Sequence, residues 1–186
     1  MPADNGQGIC RLFFALWPDP ATRRAIHRAT VDAMRQAGGR AVPIENYHLT
    51  LAFLGSQPDA LLPAIRKAGS RVSPPAGELS LERLGYFAHP RVLWLGPERT
   101  PAGLRSFVRV LWDTLEPLGI ARERRAFAAH LTLARKVRGP PEARIRPVAW
   151  CYTGFALIES VTDPRGARYQ VIAEWLPACE KNGSVK

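Results

Sequence analysis

The sequence predicts an α+β fold built as two similar lobes. Three observations carry this. Strand-like and helix-like stretches mix without a strict strand-helix-strand beat. No Gly-x-Gly-x-x-Gly or Walker loop occurs, so the marks of a doubly wound nucleotide-binding sheet are missing. The pentapeptide His48-Leu49-Thr50-Leu51-Ala52 returns 82 positions later as His130-Leu131-Thr132-Leu133-Ala134, which suggests one copy per lobe. A chain of 186 residues, 46% apolar and 23% charged, suits a folded domain and argues against disordered, collagen-like and disulfide-scaffold classes.

Arg11 to Trp17 is an apolar, aromatic run ending at Pro18, as in a buried strand. A helix follows: Asp19 caps it, Pro20 fits its first turn, Ile26, Ala29, Ala33, Met34 and Ala37 form its apolar stripe, and Gly38-Gly39 stops it. Tyr47 to Leu54 reads as a second strand closed by Gly55-Ser56. Pro58 to about Arg71 reads as a shorter helix, broken by Ser73-Pro74-Pro75. Leu79 to Phe87 and Arg91 to Leu95 form a hairpin turning at His89-Pro90. Thr100-Pro101 repeats the cap-then-proline signal, and Leu104, Phe107, Val108, Leu111, Leu115 and Leu118 recur at helical spacing until Gly119. Phe127 to about Val137 is a strand. Ala149 to Ile158 and Arg168 to Trp175 make a last antiparallel pair across Asp163-Pro164-Arg165-Gly166.

The longest apolar run, Leu12 to Trp17, falls far short of the roughly 20 residues a bilayer span needs, and the first eight residues do not pattern as a secretory signal. A cytoplasmic location is therefore the expectation, with no membrane partner. Cys10, Cys151 and Cys179 form no Cys-x-x-Cys pair and are expected to be reduced. The formal net charge of +10 favours an anionic partner, nucleic acid among them, although 22 of the 26 basic residues are Arg and are scattered along the chain.

Chemistry concentrates in the repeat. On a strand, alternate side chains face opposite sides, so His48 and Thr50 share one face while Tyr47, Leu49, Leu51 and Phe53 take the other. His130 and Thr132 pair in the same way. A His and a Thr about 6.5 Å apart along a strand approach one small anion together, the imidazole moving a proton and the hydroxyl donating a hydrogen bond. Two such pairs bracket a phosphate and supply acid and base for displacement at phosphorus near neutral pH. Neither copy sits in a His-x-x-x-His or Cys-bearing cluster, so zinc is the lesser reading and no metal or other cofactor is expected. Duplicated packing without catalysis is the competing account.

With these motifs the sequence resembles the 2H phosphoesterase superfamily, and within it the bacterial and archaeal RNA 2′,3′-cyclic phosphodiesterases, historically called 2′-5′ RNA ligases. The resemblance covers most of the chain. Arg11 to Leu16 is similar to the family's first strand, Tyr47 to Gly55 to its first motif, Arg91 to Gly96 to its mid-chain strand, and Phe127 to Lys136 to its second motif. Ala129 stands where family members commonly carry Pro. The short, Pro-rich stretch from Gly139 to Pro147 replaces what is often a longer helix.

The resemblance implies a single bilobal domain over residues 9–177, with two antiparallel sheets and flanking helices around a central positively charged groove, and flexible ends at 1–8 and 178–186. It implies hydrolysis of a 2′,3′-cyclic phosphate to a 2′-phosphomonoester, with His48 as proton donor, His130 as proton acceptor, and Thr50, Thr132 and Arg135 on the phosphate. Strict alternation places Arg135 on the packing face, so a bulge or the strand's end has to turn it, with Lys136 as the substitute. Phe13, Phe14 and Tyr47 are candidates for stacking the terminal base, against core packing as the alternative for each. His27 and His89 read as structural or solvated. The expected partner is RNA with a 2′,3′-cyclic phosphate end, tRNA fragments included, bound by a monomer. Rivals are a 2′-5′ RNA ligase, a small cyclic-nucleotide phosphodiesterase, and a non-catalytic RNA- or nucleotide-binding module.

Overall fold

A computed structural model describes residues 8–163 and 166–177. Ten strands and three α-helices occur there: β1 (Ile9–Leu16), α1 (Pro20–Ala37), β2 (Arg40–Ala41), β3 (Leu49–Pro58), α2 (Leu62–Gly69), β4 (Ala76–Leu81), β5 (Arg83–Phe87), β6 (Val92–Gly96), α3 (Ala102–Leu115), β7 (Leu131–Arg135), β8 (Val148–Thr153), β9 (Phe155–Asp163) and β10 (Gly166–Trp175). An antiparallel sheet runs in the order β10-β9-β1-β3-β7-β6-β5, with β2 also on β7, and β4 and β8 form a second, two-stranded sheet. The expected α+β class with two antiparallel sheets is what the chain adopts. The sheets are unequal, because β3 and β7 join two half-sheets into one through Leu49 opposite Leu131.

The two faces of the large sheet have different work. Leu12, Phe14 and Leu16 of β1 and Leu49 and Leu51 of β3 pack with Ile26 and Met34 of α1, Ile65 of α2 and Leu104, Leu111 and Leu115 of α3 in the main core. The alternate β1 residues, Phe13 and Ala15, join Ala156 and Ile158 in a smaller cluster on the opposite face, with Trp17, Tyr169 and Val171 against it. The period of two thus sorts β1 into a helix-covered side and a side that carries the site.

Several elements depart from the sequence reading. The expected strand from Leu79 to Phe87 divides at Glu82: Leu81 is the last pair of β4 with β8, and Arg83 is the first of β5 with β6. The expected strand from Ala149 to Ile158 divides at Gly154, whose φ of 82° lets the chain leave one sheet and enter the other while its N–H donates to Pro75 O. Gly55 does not end β3, which continues through it at positive φ to Pro58. The strand expected from Phe127 to Val137 is confined to β7. Asp19 caps α1 as expected, accepting from the N–H groups of Ala21 and Thr22. Thr100 does not cap α3; its Oγ1 accepts from the Ala129 N–H at 2.9 Å and so anchors the approach to His130. The hairpin turn at His89-Pro90 is present, with a cis peptide. Cys10 and Cys151 are free thiols. Residues 1–7 and 178–186, including Cys179, lie outside the described residues.

Candidate active site

β3 and β7 are antiparallel, and the residues that face each other, Leu49 and Leu131, each directly follow a motif histidine. The local two-fold of an antiparallel pair therefore relates one motif copy to the other. Continued by one residue, this register sets His48 level with Thr132 and Thr50 level with His130.

Each motif strand carries a bulge at the same place. On β1 and β3, Phe14 pairs with Ala52 and Ala15 with Thr50, which leaves Leu51 as the extra residue. On β6 and β7, Leu93 pairs with Ala134 and Trp94 with Thr132, which leaves Leu133 extra. Leu51 and Leu133 are equivalent in the repeat. A bulge inserts one residue and reverses the alternation beyond it. The fifth residue after each histidine, Phe53 in one copy and Arg135 in the other, is thereby turned from the packing face to the site. Both are exposed, and both line a cavity of about 320 Å³ with Arg11, Phe13, His48, Thr50 and Tyr169. Strict alternation had Phe53 among the packing residues; the bulge at Leu51 corrects that. It also supplies the turn that Arg135 needed, and Lys136, at positive φ beyond the strand, is absent from the cavity wall.

The two imidazoles are held alike. His48 Nδ1 lies 2.7 Å from Asn46 O, and His130 Nδ1 lies 2.8 Å from Ala128 O. A carbonyl accepts only, so each Nδ1 carries the hydrogen and each Nε2 is left to exchange protons. Nε2 of His48 stands 3.1 Å from Thr50 Oγ1, whose hydroxyl donates to it.

Their surroundings differ. The His48 ring stacks on Trp17 with centroids 5.8 Å apart and lies 4.8 Å from Phe13, with the Tyr169 ring edge-on at 5.1 Å. The Arg23 guanidinium sits over the Trp17 ring of this aromatic wall, 4.6 Å from its centroid. Burial pushes the His48 pKa down to about 4; the charges of Arg135, His130 and Arg23 act in the same direction, and the Asn46 carbonyl opposes them. His48 is therefore a neutral imidazole at pH 7. His130 meets Phe87 edge-on at 5.3 Å and Trp94 at 6.1 Å.

Known proteins share this arrangement of chain. Residues 16–94 match the family described as LigT-like phosphoesterase. Over 179 residues the chain is 33% identical to the RNA 2′,3′-cyclic phosphodiesterase of Thermus thermophilus, covering 89% of each chain. The chain belongs to the LigT-like phosphoesterase family. This LigT-like chain is also 31% identical to the RNA 2′,3′-cyclic phosphodiesterase of Escherichia coli, over 89% of its own length and 95% of the relative's. Its fold superposes on that of E. coli LigT complexed with 3′-AMP with a TM-score of 0.81 at 28% identity, covering 92% of this chain and 99% of that one.

Within this LigT-like site the base-stacking candidates separate. Phe14 is wholly buried against Phe155 and Trp175, and Tyr47 is wholly buried with its hydroxyl on Met34 Sδ and near His27 Nδ1, so neither offers a face to a base. Burial pushes the Tyr47 phenol up to about 12, as expected of a hydroxyl in the core. Phe13 lies in the cavity wall, but it is 3% exposed and mainly supports the His48 ring. Arg11, Trp17, Phe53, Ser160 and Tyr169 belong to the site and were missed by the motif reading. Arg11 was legible, since it alternates with Phe13 on β1; its guanidinium sits over the Phe53 ring at 5.0 Å. His89 is exposed in its turn. Among the described residues no group of three or more His, Cys, Asp and Glu side chains gathers as a metal site. No described helix is long and apolar enough to cross a membrane.

Proposed function

We propose that this chain hydrolyses RNA 2′,3′-cyclic phosphate ends to 2′-phosphomonoesters, with His48 as general acid and His130 as general base. The observation that carries the reading is the matched pair of imidazoles on adjacent strands, each with Nδ1–H fixed to the carbonyl two residues before it. A binding module has no need of two such oriented bases. The names of the relatives, and the family of the chain, support the same substrate class.

Phosphate enters between the motifs, where the Thr50 and Thr132 hydroxyls donate to non-bridging oxygens and Arg135 neutralises charge. Its negative charge favours the imidazolium against the burial, and the lesser effect of nearby cations, that hold His48 neutral, so binding raises the His48 pKa and protonates Nε2. His130 Nε2 takes a proton from water, the water oxygen bonds to phosphorus, the bond from phosphorus to O3′ breaks, and His48 Nε2 gives its proton to O3′. The phosphate remains on O2′, and the two histidines exchange protonation states. Each imidazole contributes roughly 10²- to 10⁴-fold.

The test is a short RNA ending in a 2′,3′-cyclic phosphate, incubated in EDTA and followed by phosphorus NMR. A 2′-phosphomonoester forms with the native protein and is lost with His48→Ala and His130→Ala, both folded by circular dichroism. Full activity in either variant, or a strict need for a divalent ion, overturns the mechanism. A new 2′-5′ linkage to an added 5′-hydroxyl RNA in place of hydrolysis would assign ligation.

A further inference from the structure

Each motif histidine lies against a tryptophan that carries an arginine. At the first motif the planes of Trp17 and His48 differ by 25°, their centroids are 5.8 Å apart, and the Arg23 guanidinium covers the Trp17 ring at 4.6 Å. At the second, Trp94 meets His130 at 65° and 6.1 Å, and the Arg83 guanidinium lies 5.8 Å from the Trp94 ring. The members match and the geometry does not. Of the two histidines, His48 alone meets its tryptophan nearly face to face.

The first stack is fixed where β1 hands over to α1. Trp17 directly follows β1, Asp19 caps α1, and Arg23, one turn on, donates its backbone N–H to Asp19 O at 3.0 Å. Indole and guanidinium are thus held by the same capped turn. Arg23 Nε is buried with no hydrogen-bond partner among the described residues, so the protein groups that engage this guanidinium are the ring it covers and the charges of Asp19 and Glu45.

A flat stack does two things to an imidazole. It confines the ring to one plane, and its negative face attracts the ring once protonated. Trp17 presents the flattest face to His48, since Phe13 is tilted at 35° and Tyr169 stands edge-on at 89°. That attraction is needed. Burial opposes the imidazolium most, Arg135 of β7, His130 before it and Arg23 of α1 oppose it as well, and the Asn46 carbonyl before β3 favours it. The acid must nevertheless carry its proton, with Nε2 correctly aimed, when O3′ departs.

From this geometry we infer that Trp17 and Arg23 are positioning residues for the general acid: the indole sets the plane of the His48 ring and offers its face to the imidazolium, and the guanidinium holds the indole from behind. The inference rests on the hydrolase reading above. Neither residue touches the reacting atoms, so both act through His48.

The experiment measures kcat and KM on a trinucleotide with a 2′,3′-cyclic phosphate end, in EDTA, and the His48 ring titration by NMR with inorganic phosphate bound. Trp17→Leu lowers kcat by about tenfold to 100-fold with little change in KM, and Trp17→Phe, which keeps an aromatic face, recovers most of the loss. The His48 ring titrates lower in Trp17→Leu than in the native protein by about 0.5 to 1 pH unit, because the apolar wall is kept and the attractive face is lost. Arg23→Met and Arg23→Lys both lower kcat by about tenfold, since neither covers the indole with a flat group. Of these two, Arg23→Met alone raises the His48 titration, because it alone removes the charge. Arg23 is half-buried at the start of α1 and both replacements are good helix formers, so these variants carry the test if Trp17→Leu does not fold. Native kcat in Trp17→Leu or in Arg23→Lys, a Trp17→Phe no more active than Trp17→Leu, or a loss of activity that follows melting temperature while His48 titrates as in the native protein overturns the inference and leaves the hydrolase reading standing. A native protein that turns over no cyclic-phosphate RNA removes that reading, and the inference with it.

Discussion

Replacing Gly85 with Ala should damage the site from two strands away. Gly85 of β5 lies opposite Trp94 of β6, which lies opposite Thr132 of β7. The missing side chain leaves room for the indole: an added Cβ would stand 2.5 Å from Trp94 Cη2 and closer still to Cζ2 and Cε2. Carbon atoms rest at about 3.5–4.0 Å, so the ring must retreat by about 1 Å or more. It has little freedom to do so, because Phe87 lies 5.4 Å away, the Arg83 guanidinium 5.8 Å away, and His130 is its neighbour at 6.1 Å. Overpacking of this kind costs about 1–3 kcal/mol, and the stiffer unfolded chain of an Ala variant returns about 0.4–1 kcal/mol. The net expectation is a loss of about 1–2 kcal/mol in urea unfolding. A displacement of about 1 Å near a reacting group can cost on the order of 100-fold, so kcat on a cyclic-phosphate RNA should fall by between about tenfold and 100-fold, with the smaller share in KM. Adding Trp94→Leu to the Ala variant makes space again and should recover most of the lost stability. Native stability and kcat in Gly85→Ala, or a double variant no more stable than the single one, would refute the reasoning.

Arg135→Ala should lower kcat/KM by about 10²- to 10³-fold, since it removes a charge from the phosphate, and it should raise the His48 pKa, because Arg135 is one of the cations pressing it down. An NMR titration of the His48 ring reads the second effect, and an unmoved titration would show that Arg135 acts elsewhere. The depressed His48 pKa also has a signature in stability. Between about 6.5 and about 4 the unfolded chain binds a proton that the folded chain refuses, so the His48 contribution is full above that window and is lost as pH falls through it. His48→Gln should therefore lose less of its melting temperature between about pH 7 and pH 4.5 than the native protein does. Equal losses in both would place the acid sensitivity on other groups.

The elements with their own punctuation were legible in the sequence. Asp19-Pro20 and Gly38-Gly39 bracket α1, and the apolar spacing from Leu104 to Leu115 marks α3. The two divided strands were not legible, because Leu79 to Phe87 and Ala149 to Ile158 each keep an apolar pattern across the break, and only tertiary pairing decides that the halves serve different sheets. The four motif residues were found because a repeat of five identical positions is a signal in itself. Phe53 was misplaced, and Arg135 left undecided, for a single reason: a bulge adds one residue to the count without marking the sequence. Thr100 carried a capping signal that its hydroxyl spends on Ala129. Tyr169 and Ser160 come from strands far along the chain from the first motif, and nothing local to them announces the pocket.

The twin bulges bear on which ester bond is cut. A 2′,3′-cyclic phosphate presents two ring oxygens that are nearly mirror partners, and a site with a perfect two-fold axis would offer each the same acid, the same hydroxyl and the same base. Regiochemistry needs that equivalence broken. The duplication keeps His and Thr identical in both strands and lets the first outward residue after each bulge diverge, an aromatic face at Phe53 and a cation at Arg135. The two halves of the site are thereby unequal at a position where the two motif copies are not identical, with the Phe53 ring under the Arg11 guanidinium in one and the Arg135 cation in the other.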